Sequence, residues 1–277
     1  MNPVNTALWF IERHFGSEIT LEEIAAVAGV SRYHLSRAFA VAMGQPALRY
    51  TRGRRLTEAA RTLAQGAPDI LTVALEAGYN SHEAFTRAFR DQFGVTPESV
   101  RDQGHLNNIQ LVEALKMDQS LLTKLEPPRF EQATAMLLAG LNARYTCDTS
   151  SAIPAQWQRF IPHIGTFPGQ IGNVAYGARY NGDDDGNFDY MCAVQVTDFS
   201  QLAPEWTRLR ISPQRYAVFA HREHVSTIRR TWNTIYTKWL PESGHLLVDA
   251  PVFERYAEDF DSRTGTGGME IWIPIQS

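Results

Sequence analysis

The chain repeats itself, and the repeat limits what its first third can become. SRYHLSRAF at 31–39 matches SHEAFTRAF at 81–89, both reading S-x-x-x-Φ-[ST]-R-A-F, and each is followed five residues later by a glycine, Gly44 and Gly94. Upstream, Ile24 with Ala25 and Val73 with Ala74 each precede an Ala-Gly pair, Ala28-Gly29 and Ala77-Gly78. The second copy holds one extra turn residue, Asn80. Internal similarity at such a spacing marks a duplicated supersecondary unit.

Each copy has a physical logic. Leu21, Ile24, Ala25 and Ala28 fall at helical spacing, and Thr20 with Glu23 makes a capping box at the start of that helix. Gly29 supplies the turn, and Ser31 caps a second helix with Leu35, Ala38 and Phe39 facing inward. Arg32, Tyr33, Ser36 and Arg37 are left on the outer face. In the second copy Ser81 caps; Ala84, Phe85, Ala88 and Phe89 face inward, and His82, Glu83, Thr86 and Arg87 point out. A short helix, a glycine turn and a helix with polar outward residues is a helix-turn-helix. Between the copies, Pro46 to Gln65 reads as one long helix. Its arginines Arg49, Arg52, Arg54, Arg55 and Arg61 are candidates for phosphate contacts, the alternative being a solvated charged face.

The stretch from about Leu8 to Arg101 resembles the DNA-binding domain of the AraC/XylS family. The carrying residues are LEEIAAVAGVSRYHLSRAFAVAMGQPALRYTRGRRLTEAARTL and GYNSHEAFTRAFRDQFGVTPESVR, including F-x-x-x-F-G-x-[ST]-P-x-x-x-R at 89–101. The resemblance implies double-stranded promoter DNA as partner, with two recognition helices in successive major grooves. It also implies RNA polymerase as a further partner. Its base-contacting positions fall on Tyr33, Ser36 and Arg37 in the first unit, and on His82, Glu83 and Arg87 in the second. Arg37 and Arg87 suit bidentate reading of guanine. For Glu83, accepting from a cytosine amino group and orienting Arg87 both remain open.

Charge does not argue against this. Residues 1–106 carry 11 arginines, no lysine and 11 acids, and so no net charge. The remainder, with 15 basic and 19 acidic residues, carries the whole −4. DNA binding needs a locally positive face rather than a positive average. Hydrophobic residues at 44% and charged residues at 20% fit a globular protein. No run approaches the roughly 18 apolar residues of a membrane span. Glu12, Arg13 and His14 interrupt the N-terminal apolar pattern, which reads as a folded helix rather than a signal peptide. Cys147 and Cys192 form no CxxC unit and fit a reducing cytoplasm.

The pattern changes after His105. Residues 106–126 keep helical apolar spacing and are expected to link an N-terminal all-α domain, 1–105, to a second domain, 127–277. Pro127 and Pro128 punctuate, and strand-like segments follow. Arg129–Ala133 and Met136–Tyr145 are expected to pair with one another. Helices are expected near Pro154–Ile164 and Val225–Leu240, and later strands at Phe253–Tyr256 and Met269–Ile275, giving an α+β domain. Several small motifs fail. Asp183, Asp185 and Asn187 mimic an EF-hand start, but Phe188 stands where the loop needs glycine. His221 and His224 lack a third metal ligand, and Gly265, Gly267 and Gly268 precede no helix. The expectation is therefore no catalytic residue, no metal and no cofactor.

Strand alternation places Glu254 with Tyr256, and Glu270 with Trp272, each pair on one face. An acid among aromatic rings suits an organic cation; the alternative is a salt-bridged strand glutamate, paired for instance with Arg255 or Arg179. YAVFAH at 216–221, FERY at 253–256, EIWIPI at 270–275 and Tyr176-Gly177 resemble the GyrI-like effector-binding domain. That resemblance implies paired β-α-β-β modules around a cleft for amphipathic, often cationic, small molecules. It makes Glu270 and Glu254 the candidate acids and Tyr176, Trp157, Trp272 and Tyr256 the candidate walls, with the choice of glutamate open. The whole reads as a transcription regulator modulated by a small molecule. The alternatives are a second domain that only contacts proteins, or one that hydrolyses reactive compounds.

Overall fold

The computed structural model describes residues 2–67, 69–107 and 109–276. Met1, Pro68, Asn108 and Ser277 lie outside the described residues, at the outer ends of the two expected domains, before the second repeat and in the linker. The first domain is helical: α1 Pro3–His14, α2 Leu21–Ala28, α3 Arg32–Met43, α4 Ala47–Ala64, α5 Ile70–Glu76, α6 His82–Phe93 and α7 Pro97–Gln103. The capping box forms as the sequence requires: Thr20 Oγ1 accepts from the Glu23 amide (3.2 Å), and the Thr20 amide donates to Glu23 Oε2 (2.7 Å). Gly29, at φ 70°, then turns the chain in the left-handed region, and Ser31 and Ser81 cap α3 and α6.

The long helix α4 divides the domain into two cores. Its first turns, through Ala47 and Tyr50, join Val4, Leu8, Ile11, Ile24, Leu35 and Phe39 of α1–α3. Its last turns, through Leu56, Ala59, Ala60 and Leu63, pack on Val73, Phe85, Phe89 and Phe93. The first core does not stop at the domain boundary. It continues through Ile235, Tyr236 and Leu240 to Phe219, Ile271 and Ile273 of the second domain.

The segment after α7 is not helical, contrary to the apolar spacing. Apart from a three-residue 3₁₀ turn, Gln119–Leu121, it is an extended strap. Its apolar side chains are placed by partners on both sides: Leu106, Ile109 and Leu111 in the second core, Val112, Leu115 and Met117 in the first. Its backbone is held by side chains. The Val112 amide donates to Thr57 (3.0 Å), the Leu115 amide to Tyr50 Oη (3.0 Å) and the Thr123 amide to Thr234 (2.9 Å). These bonds replace the ones a helix would have made internally.

The second domain is an eight-stranded antiparallel sheet with helices on one face. Its strands are β1 Arg129–Ala133, β2 Met136–Tyr145, β3 Gln170–Tyr180, β4 Phe188–Val196, β5 Thr207–Ile211, β6 Gln214–His221, β7 Val252–Tyr256 and β8 Met269–Pro274. Their order is β1-β6-β8-β7-β3-β4-β2-β5. The expected β1–β2 pair does not exist: β1 pairs with β6, and β2 lies between β4 and β5. The two halves, β1–β4 and β5–β8, exchange their first strands. Six strand spacings separate β1 from β2 in this order, roughly 29 Å if the sheet were flat. The chain crosses from Ala133 to Met136 in three steps, at most about 11 Å. The sheet must therefore curl until its ends meet.

Inside the curl, Leu138, Tyr176, Met191, Ile211, Tyr216 and Phe253 pack together. On the outer face α8, Ile153–Phe160, covers β2 and β4, and α9, Ile228–Thr234, covers β6 and β8. Helix α9 runs on through a π-helical turn, Ile235–Trp239, into a last α-helical turn, Leu240–Ser243.

Candidate functional sites

The outer face of α6 is open. Phe85, Phe89 and Phe93 hold its inner face. His82, Glu83 and Arg87, with Thr86, Arg90 and Asp91, line a shallow groove on the other. Glu83 and Arg87 are exposed, and no ion pair joins them among the described residues. The Glu83 carboxyl is instead held below its usual range by its own backbone amide and the Ser81 hydroxyl.

The equivalent face of α3 is covered by the second domain. Arg37 is only 6% exposed, its guanidinium lying 4.5 Å above the Tyr33 ring. Tyr33 is half-buried and its hydroxyl donates to the Ala250 carbonyl at 3.4 Å. Ser36, with Tyr33 and Arg37, lines a cavity between α3 and the second domain. Buried His34 donates from Nε2 to the Tyr236 carbonyl (2.9 Å), and burial holds its pKa below the ordinary value despite that bond. At the start of α3, Arg32 pairs with Glu22 (2.5 Å) and reaches Asp184 (3.8 Å) in the acidic hairpin between β3 and β4. Arg229 donates to the Val41 carbonyl at 3.3 Å.

The five arginines of α4 do not form one face. Arg54 is turned inward, forked onto Glu12 (2.9 and 3.0 Å) and bonded to the Val112 carbonyl (2.9 Å). That placement removes it from the phosphate candidates and makes it a tie between α1, α4 and the strap. Arg55 donates to the Phe15 and Ser17 carbonyls at the end of α1. Arg61 is shared by Glu58 and Glu113, and Arg49 pairs with Asp148 of the second domain. Arg52 is exposed and joins no ion pair among the described residues.

The six candidate ligand residues separate onto the two faces of the curled sheet. Glu254, Tyr256 and Trp157 lie on the outer face; Glu270, Trp272 and Tyr176 lie on the inner one, at its rim. Glu270 is a salt-bridged strand glutamate. Arg129 reaches it at 2.8 Å and Arg255 at 3.5 Å, and Trp272 Nε1 donates at 3.1 Å. Burial alone would raise its pKa, but these donors and charges outweigh it and the net shift is downward.

Glu254 differs in kind. It lies where α8 and α9 meet over the centre of the sheet, and its donors are neutral: Tyr190 Oη (2.7 Å), Tyr256 Oη (2.9 Å) and Trp232 Nε1 (3.2 Å). No cation pairs with it among the described residues. Burial raises its pKa, and the three donors do not cancel that. Trp157 Nε1 donates to Tyr190 Oη (3.0 Å), and its ring meets Tyr256 edge-on at 4.9 Å. Gly177, opposite Glu254 in the ladder, leaves the space for this cluster: a Cβ there would collide with Tyr190 Oη and come within 2.8 Å of Glu254 Oε2. The sequence motif sets Tyr176 beside Gly177 without disclosing the glycine's own role, and Tyr190 and Trp232 are site residues that the motifs do not mark. Strand alternation from Cys192 and the i, i+4 step from Trp232 to Tyr236 carried the signal.

Residues 126–276 match the family described as the GyrI-like small molecule binding domain, and residues 24–103 match a helix-turn-helix domain. The chain belongs to the GyrI-like family. An AraC-type helix-turn-helix domain precedes its GyrI-like domain, so this member of the family has the two-domain organisation that its sequence implied. Along its whole length this GyrI-like protein is similar to the transcriptional regulator Rob of Salmonella typhimurium, 25% identical over 99% of this chain and 98% of that one. It is likewise similar to the right origin-binding protein of Escherichia coli K12, at 24% identity with the same coverage. Its first domain resembles the probable transcription factor PqrA of Proteus vulgaris, 37% identical over 37% of this chain and 86% of the relative. Among the described residues no helix is long and apolar enough to cross a membrane, and no cluster of side chains is suited to holding a metal ion.

Proposed function

We propose that this GyrI-like regulator reads promoter DNA with α3 and α6 and responds to an organic cation that displaces Trp232 from Glu254. The observation that carries this reading is a half-buried glutamate whose carboxylate is bonded by neutral donors only and walled by Trp157, Trp232 and Tyr256. An ionised acid in that position joins no ion pair among the described residues, His221 being the one basic side chain near enough to act on it. A lipophilic cation supplies a counter-charge together with ring faces to lie against. The full-length relatives are named as a transcriptional regulator and an origin-binding protein, which supports the DNA half of the reading. RNA polymerase as a partner, a cytoplasmic location and a non-enzymatic second domain belong to the same reading.

A short path joins the two activities. Trp232 stacks on Tyr236 (5.8 Å, 12° between planes), and the Tyr236 carbonyl holds His34 of α3. Tyr236 also lies in the π-helical turn, a helix form with poorer packing that recurs at functional sites. Moving Trp232 therefore disturbs the element that grips α3. A ligand shifts DNA binding only as far as it prefers the released arrangement over the docked one.

The test is calorimetric titration of the full chain with tetraphenylphosphonium. Glu254→Gln should weaken binding by roughly tenfold or more, while Glu270→Gln leaves it within about twofold. The opposite ranking would assign the ligand to the inner face. Consumption of an ester or epoxide probe, abolished by Glu254→Gln, would replace the sensor with an enzyme.

A further inference from the structure

Between α3 and the second domain lies a cavity of about 140 Å³ whose polar groups do not answer one another. Arg37 enters from α3 and Arg179 from the end of β3, where its guanidinium lies 3.7 Å above the Phe188 ring. Neither joins an ion pair among the described residues, and the Nε of each is buried without a hydrogen-bond partner. The Tyr236 hydroxyl, close enough to feel the charge of Arg179, is a third buried polar atom without a partner. Burial, and then the neighbouring charge of Arg37, lower the pKa of Arg179 to about 10. Two like charges desolvated side by side, with N–H groups unmatched, are costly unless an acceptor of opposite charge stands between them.

The acids in the wall do not supply it. Asp183 is held by Arg144 (2.7 Å) and by Asn187, and Asp184 faces Arg32. Asp249 remains, one carboxylate against Arg37 and Arg179. The lining as a whole is balanced, Arg32, Arg37 and Arg179 against Asp183, Asp184 and Asp249. What is unmatched is local: the donors of Arg37 and Arg179, neither of which joins an ion pair among the described residues. Guanidinium groups favour planar or tetrahedral oxyanions, which accept two donors at once.

We infer that this interdomain cavity is a binding site for a small oxyanion, a carboxylate or inorganic phosphate, held between Arg37 and Arg179. The anion bridges one side chain of the DNA-binding domain and one of the GyrI-like domain. Its occupancy fastens α3 to the second domain, so the anion and DNA compete for Arg37. The site stands on the geometry alone; the competition rests on α3 being a DNA reader, as proposed above.

The experiment uses the full chain, with acetate and phosphate titrated at constant ionic strength against a chloride control. Expected is one saturable site for at least one of the two oxyanions, the two arms separating carboxylate from phosphate as ligand. Arg179→Met should weaken it roughly tenfold or more, and should leave the fold intact or stabilised because it removes a desolvated, unpaired charge. Asp249→Asn should tighten binding several-fold by removing the competing carboxylate. No saturable binding beyond chloride, or binding that neither substitution changes, overturns the site. Fluorescence anisotropy with promoter DNA supplies the second readout: the bound oxyanion should weaken DNA binding by wild type but not by Arg179→Met. Equal DNA affinity with and without a demonstrably bound anion overturns the competition. DNA affinity indifferent to Arg37→Ala, with the bound cation present and the cavity empty, would mean instead that the reading of α3 has failed.

Discussion

Helices α3 and α6 are each 12 residues long, each capped by a serine, and each ends on a glycine at φ 73°. Local sequence makes them alike, yet α3 is docked and α6 is free. The difference is written at positions the shared motif leaves unspecified. Where α3 has Ala40 and Val41, α6 has Arg90 and Asp91, both exposed. Where α3 has His34, bonded to the Tyr236 carbonyl, α6 has Ala84. A small apolar patch and one hydrogen-bonding side chain let α3 join a neighbour's core; two charges keep α6 in water. Two copies of one motif thus present one open helix face and one covered helix face.

The largest expected effect tests whether the two cores are separate. Phe39→Ala and Phe85→Ala should each cost about 3–5 kcal/mol. In hydrogen exchange followed by mass spectrometry, Phe39→Ala should loosen α1–α3 together with β6 and β8. Phe85→Ala should loosen α5–α7 alone, and a matching pattern in both variants would erase the distinction. Next, giving α3 the charges of α6 by Ala40→Arg with Val41→Asp should undo docking through overpacking and charge burial, at about 1–3 kcal/mol. DNA affinity measured by anisotropy should then no longer respond to the phosphonium cation. A response retained at full size would place the grip elsewhere.

Of similar or smaller size is the pair Arg37→Ala and Arg87→Ala. Without ligand, Arg87→Ala should cost roughly 1–3 kcal/mol on the promoter site and Arg37→Ala much less; with the cation bound the two losses should converge. Equal losses in the ligand-free chain would show α3 already on DNA. The pH dependence comes next. Burial raises the Glu254 pKa, so the folded state holds its proton at pH values where the unfolded chain has lost it. Stability from this group is fully present below the unfolded value and declines as pH rises to the raised one. Cation affinity runs the other way, falling about tenfold per pH unit below the raised value and flat above it, and flat throughout in Glu254→Gln. The smallest effect is Asp184→Asn, which loosens an exposed contact to Arg32 and should raise DNA affinity by less than about threefold, only at low salt.

What could be read from the chain in advance was what neighbours in sequence decide. The Thr20–Glu23 box, the serine caps and the glycine turns are complete within a few residues, and so the helix-turn-helix units were legible. The strap after α7 was not. Its apolar spacing records which side chains are buried by α4 on one side and α9 on the other, and that burial imitates helical periodicity. Strand alternation correctly joined Glu254 to Tyr256 and Glu270 to Trp272. It does not say which face of a sheet lies inside a curl, so it gave no choice between the two acids. The arginines of α4 show the same limit: Arg52 and Arg54 are two positions apart, and only the presence of Glu12 across the helix pair turns one inward.

The strand exchange between the halves of the GyrI-like domain has a consequence for how such halves can assemble. Each half, β1–β4 or β5–β8, gives its leading strand away and receives the other's in return. A half standing alone would expose a bare strand edge and carry an orphan strand with nothing to pair. Two identical copies would cure both faults by trading strands across a twofold axis, as domain-swapped dimers do. The domain has the topology of such a dimer fused into one chain, in which the symmetry axis passes between β3 and β7, beside Gly177 and Glu254. The two sides of that axis are not identical: Glu254 of β7 stands opposite Gly177 of β3, so this face carries a single acid instead of a matched pair.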